Sequence, residues 1–68
     1  MAQKHWYHVY IDFIYPKGKT ENKHIASFTG EDDAITFAID TREYYLHMKQ
    51  KCKIRILYRG DVVFTVES

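Results

Sequence analysis

The sequence predicts a small α+β domain of ββαββ order, with one helix packed on one face of a four-stranded sheet. Three observations lead there. Short segments rich in aromatic and β-branched residues alternate in polarity toward both ends of the chain. A segment of helical period lies between them. And 68 residues allow a single domain, residues 1–68, and no second one.

The first strand is predicted over residues 5–15, HWYHVYIDFIY. Its odd positions, Tyr7, Val9, Ile11, Phe13 and Tyr15, are all apolar or aromatic, whereas Trp6, His8, Tyr10, Asp12 and Ile14 are mixed. Side chains alternate across a strand, so the odd set is expected inward and the even set outward. Pro16 ends the strand, and residues 16–22, PKGKTEN, have turn composition. Residues 23–29, KHIASFT, read as a weaker second strand with Ala26 and Phe28 inward, which makes a hairpin with a long loop.

A helix follows. Thr29 is expected as its N-cap, with Asp32 three residues on in the place of a capping-box acid. Glu31, Asp32 and Asp33 crowd the first turn, where carboxylates suit the positive end of the helix dipole. Ala34, Phe37, Ala38, Thr41, Tyr45, Met48 and Cys52 recur on one face, and Lys49 and Lys51 are expected in the last turn. Ile35, Ile39 and Leu46 fall about 100° round from that face and are expected to widen it over the sheet edge.

Residues 53–58 and 62–66 close the fold as a second hairpin, with Ile54, Ile56 and Tyr58 inward against Val62, Phe64 and Val66. A two-residue loop at Arg59-Gly60 would pair Leu57 with Val62 and mix the faces. A three-residue loop, Arg59-Gly60-Asp61, or a bulge keeps the apolar set inside. The Arg-Gly-Asp run reads as turn chemistry rather than as a receptor-binding motif.

The most apolar strands are the first and the last, which favours an order with those two central. That β-grasp-like arrangement resembles the immunoglobulin-binding domains of streptococcal protein G in element order, and no motif carries function across. The alternative is a plain antiparallel sheet.

Composition excludes several classes. One cysteine forbids an intramolecular disulfide framework, and none of the four histidines has metal-ligand spacing. His5 and His8 point to opposite faces, and His24, His47 and Cys52 lie on separate elements, so no metal site is expected. Cys52 reads as a buried small hydrophobe. There is no phosphate loop, nucleophile elbow or paired-carboxylate arrangement, so the chain is expected not to be an enzyme, with no cofactor and no small-molecule substrate. No apolar run approaches the roughly 20 residues of a membrane span and no signal-peptide pattern opens the chain, which leads to the expectation of a cytoplasmic protein.

The net charge of +1 conceals a division. Residues 1–30 carry Lys4, Lys17, Lys19 and Lys23 against Asp12 and Glu21, a net +2. Residues 31–50 carry Arg42 and Lys49 against Glu31, Asp32, Asp33, Asp40 and Glu43, a net −3. Residues 51–68 carry Lys51, Lys53, Arg55 and Arg59 against Asp61 and Glu67, a net +2. The expectation is an acidic helix set against basic strands.

With one helix, one sheet face is left uncovered. It is expected to hold Trp6, His8, Tyr10, Asp12 and Ile14, with Lys53, Arg55 and Leu57 from the third strand and Val63, Thr65 and Glu67 from the fourth. Such an apolar and aromatic face suits docking. Trp, Tyr and Arg dominate protein-binding hot spots, so the leading expectation is a protein-interaction module binding a partner or a second copy through Trp6, His8, Tyr10, Lys53, Arg55 and Leu57. Inhibitors and adaptors of this size, some of them phage-encoded, offer an analogy. The alternative is single-stranded nucleic acid, stacked on Trp6, His8 and Tyr10 and held by Lys53 and Arg55. The small net charge counts against it.

Overall fold

The structure, a computed structural model, describes residues 5–68; Lys4 lies outside the described residues. It is a four-stranded antiparallel sheet with one helix on one face, in the order β1 (Tyr7–Ile14), β2 (Thr20–Phe28), α1 (Glu31–His47), β3 (Cys52–Tyr58) and β4 (Asp61–Glu67). The sheet order is β2-β1-β3-β4. Both β2 and β3 run antiparallel to β1, so they run parallel to each other, and α1 is the crossover such a pair requires.

The order corrects the β-grasp-like expectation, because the central strands are β1 and β3. The plain antiparallel sheet is the one adopted. The two-residue connection keeps β4 beside β3 in either order; the difference is that β3, the strand that follows the helix, pairs with β1 and leaves β4 at the edge. Burial agrees. Val9 and Ile11 of β1 and Cys52, Ile54 and Ile56 of β3 are fully buried, whereas no residue of β4 is.

On the helix side, Ala34 and Ala38 are fully buried one turn apart and let the helix backbone approach the sheet. Tyr7, Phe13, Phe28, Phe37, Tyr45 and Phe64 pack round this centre, with Phe13 edge-on to Tyr45 at 5.0 Å and Phe28 tilted against Phe37 at 5.3 Å. Burying each large aliphatic side chain contributes roughly 1.5–3 kcal/mol, so the β1–β3 pair carries the core.

Several boundaries shift. The helix N-cap is Gly30 rather than Thr29, and no side chain caps it. Helix α1 ends at His47, and Lys49 and Lys51 lie beyond its last turn. Met48 is 63% exposed and Cys52 opens β3, so neither belongs to the helix face. Ile35 packs on the core as expected, whereas Ile39 and Leu46 are exposed. Tyr15, expected inward, lies past the end of β1 and is exposed.

The closing turn has only two central residues, Arg59 (φ +54°) and Gly60 (φ +87°), the positive pair of a type I′ turn. Leu57 therefore does pair with Val62. A bulge then resets the register so that Ile56 faces Phe64 and Ile54 faces Val66. The apolar set stays inside by the bulge, and Val62, expected inward, is 52% exposed instead.

Candidate functional site

Register and pleat assemble the sheet face opposite α1 in rows that run from β2 to β4. The first row is Ser27, His8, Leu57 and Val62; the second is His24, Tyr10, Arg55 and Thr65; the third is Asn22, Asp12, Lys53 and Glu67. His8, Tyr10, Lys53, Arg55 and Leu57 therefore share this face, as their alternation requires. Trp6 lies one residue before β1 begins and is 43% exposed. Val63, expected on the face, is the extra residue of the β4 bulge.

His24 and Ser27 were not anticipated. Ser27 lies there opposite His8 by alternation with Ala26 and Phe28, whereas His24 arrives through a bulge in β2: Val9 faces Ala26, but Tyr10 faces His24, leaving Ile25 unpaired. Without that extra residue His24 would share the helix side with Ala26 and Phe28. The sequence does carry a trace of it, since adjacent apolar Ile25 and Ala26 break strict alternation, and both pack on the core.

The two upper rows form a connected polar cluster. His8 Nδ1 and His24 Nε2 each lie 2.8 Å from Ser27 Oγ. A neutral hydroxyl has one proton, so it donates to one ring and accepts from the other. The His8 and His24 ring centroids are 5.3 Å apart, edge to face, and Tyr10 leans on His24 at 5.1 Å.

The lower rows are neutralised from within. Arg55 reaches the Asp12 carboxylate at 3.3 Å, and Asn22 Nδ2 donates to that carboxylate as well. Lys53 stands in register between Asp12 and Glu67. The face thus carries two cations and two carboxylates, as its alternation predicts, with Arg55 and Asp12 in direct contact. Arg55 Nε is buried with no hydrogen-bond acceptor, a group that ordinarily finds one.

Away from the sheet face, an open cleft of about 430 Å³ lies between the end of β1 and the chain after α1. Ile14, Tyr15 and Pro16 form one wall and Lys49, Gln50 and Lys51 the other. Gln50 ties the walls together through the carbonyls of Ile14 (3.3 Å) and Lys51 (3.0 Å). The cleft lining has no carboxylate, imidazole or thiol. Nearby, the Tyr15 hydroxyl donates to Glu21 at 3.2 Å; burial first, and then the Glu21 charge and hydrogen bond, push this phenol above its ordinary range. Tyr7 is raised similarly, by burial and then by Glu31 and Tyr58.

Among the described residues no three His, Cys, Asp or Glu side chains gather as metal ligands, and no helix is long and apolar enough to cross a membrane. Comparison with family models, curated proteins and solved structures finds no match. The face must therefore be interpreted from its own chemistry.

Proposed function

We propose that the protein is a protein-interaction module, an inhibitor or adaptor, whose working surface is the sheet face opposite α1. The observation that supports this most is the combination of apolar side chains, exposed at Trp6 and Val62 and half-buried at Tyr10 and Leu57, with internally balanced charge. Leu57, Val62 and Tyr10 lie beside cations that already have carboxylate neighbours. Protein interfaces are built this way, from aromatic and aliphatic contacts with charges that mainly set register. Nucleic acid asks for the opposite, a cationic excess left free for phosphate. A cytoplasmic setting belongs to the same proposal and goes with a single, buried, unpaired cysteine.

The test pairs binding with folding. Immobilised wild-type protein should retain a protein partner that Leu57→Asp and Trp6→Ala both release, with melting temperatures within a few degrees of wild type. Sedimentation velocity covers the case in which the partner is a second copy. Retention that survives both substitutions overturns the assignment of this face. Binding to single-stranded DNA that falls steeply with salt would instead restore the nucleic-acid reading.

A further inference from the structure

We propose that two copies of the chain associate through the outer edge of β2, pairing Thr20 to His24 antiparallel about a two-fold axis at Asn22. Strand β2 ends the sheet, and among the described residues no strand pairs with its outer side. From Thr20 to His24 it lies in unbroken register with β1, and every residue of this stretch is exposed. The ladder shows which backbone groups are free. Tyr15 N–H donates to the Lys19 carbonyl at 2.7 Å, and Ile14 N–H donates to the Lys51 carbonyl on the opposite side. Backbone groups alternate in direction along an antiparallel pair, so Glu21 and Lys23 bond to β1 while Thr20, Asn22 and His24 turn N–H and C=O outward. The other edge of the sheet is less open. Its strand, β4, carries a bulge near its start, and Arg42 Nε donates to the Glu67 carbonyl at 3.0 Å.

Charge selects the occupant. Pairing about Asn22 sets Asn22 against Asn22, Thr20 against His24 and Glu21 against Lys23 of the second copy. The first two pairings exchange N–H···O bonds between outward groups. The Glu21–Lys23 pairing is the closer, non-hydrogen-bonded kind, in which opposite charges stabilise, and symmetry forms it twice. Sliding one strand by two residues is the smallest step that keeps the outward groups opposed. It puts Glu21 against Glu21 or Lys23 against Lys23, and both repel. Within one chain Glu21 and Lys23 meet loosely, at 3.9 Å, with both side chains about half exposed, so each can turn to a second copy. A lysine on an edge ordinarily deters strand addition; here the second copy brings its counter-ion. Directly opposed residues share a face, so Asn22 joins the two uncovered faces. The product is one sheet of two four-stranded halves, with both helices on one side and both proposed docking faces on the other. Edge and face are different surfaces, and the dimer stands or falls independently of the docking role.

So short a pairing makes a small interface, and the dimer should populate only toward about 1 mM. Sedimentation equilibrium of the wild type should show mass rising with concentration over that range. In ¹H–¹⁵N spectra the amides of Thr20, Asn22 and His24 should move with it. Lys23→Glu and Glu21→Lys should each keep the protein monomeric, with melting temperatures in dilute solution within a few degrees of wild type. Mixing the two variants in equal amounts should restore association, because every Glu21–Lys23 position then pairs opposite charges again. Leu57→Asp should leave the dimer intact. A wild type that stays monomeric at about 1 mM overturns the proposal. So does a dimer that survives both charge reversals, a mixture that stays monomeric, or a dimer that Leu57→Asp dissolves.

Discussion

Lys49 holds left-handed backbone, φ +56°, just past the end of α1. Its N–H donates to the Leu46 carbonyl and the Gln50 N–H to the Tyr45 carbonyl, at 3.1 and 2.9 Å, the paired bonds of a Schellman ending. Glycine is the usual residue there, because a Cβ in this conformation costs about 1–2 kcal/mol. Lys49→Gly is thus expected to stabilise the fold by roughly 0.5–1 kcal/mol, read as a higher denaturant midpoint at constant slope. Single residues also set the alkaline limit. Tyr7 and Tyr15 hold their protons more tightly when folded. Above pH ~10 the unfolded chain loses phenolic protons that the native chain keeps, so stability present below that pH falls as pH rises through the raised native values. Thermal melts between pH 8 and 11 should show this decline, and Tyr15→Phe should make it shallower.

The strands were legible as elements because their alternation is strong, but their registers were not, and the site depends on register. In β4, parity correctly demanded that Ile56 face Phe64, and it left a wider loop and a bulge equally able to achieve this. The type I′ turn decided for the bulge, since Arg59 and Gly60 supply the positive φ pair that matches strand twist. Gly60→Ala should cost about 1–2 kcal/mol. Arg59→Asn, which favours the same turn, should not destabilise; a melting temperature that falls for Asn and not for Ala would contradict the turn assignment. In β2 the same device had a larger consequence. One extra residue, Ile25, moves His24 from the side of Ala26 to the side of His8. Spacing alone kept these histidines apart, because nothing local to either strand specifies their pairing.

At the scale of the whole molecule the charge division is end to end. Lys49 and Lys51 meet the turn bearing Lys17 and Lys19, where Ile14 N–H donates to the Lys51 carbonyl and Tyr15 N–H to that of Lys19. Glu31, Asp32 and Asp33 stand about 26 Å away, one helix length. The contrast expected between helix and strands is therefore a contrast between two poles, and the sheet face between them is nearly neutral. Stability at this size is small, about 3–10 kcal/mol for the chain. Ile54, fully buried in the central strand, is where a cavity takes most of it: Ile54→Ala should cost about 2–5 kcal/mol. Cys52 offers the measurement. It is buried with its backbone N–H bonded to Ser68 Oγ at 3.0 Å, so thiol labelling should report opening of the fold. Labelling in Ile54→Ala should accelerate by at least about thirtyfold, each 1.4 kcal/mol being a factor of ten. Fast labelling of the wild type would show that the β3 end opens locally.

Local periodicity was enough to determine the element order, the single helix, the identity of most core residues and the set of β1 and β3 side chains left on the uncovered face. Each of these follows from alternation or helical spacing within one segment, where neighbours in sequence are neighbours in space. The tertiary structure decided the strand order, the exposure of Val62, the meeting of His8 and His24 at Ser27 and the pairing of Arg55 with Asp12. All four depend on how separate segments are aligned. A tight turn and two bulges set that alignment, and one inserted residue exchanges the faces of every side chain beyond it.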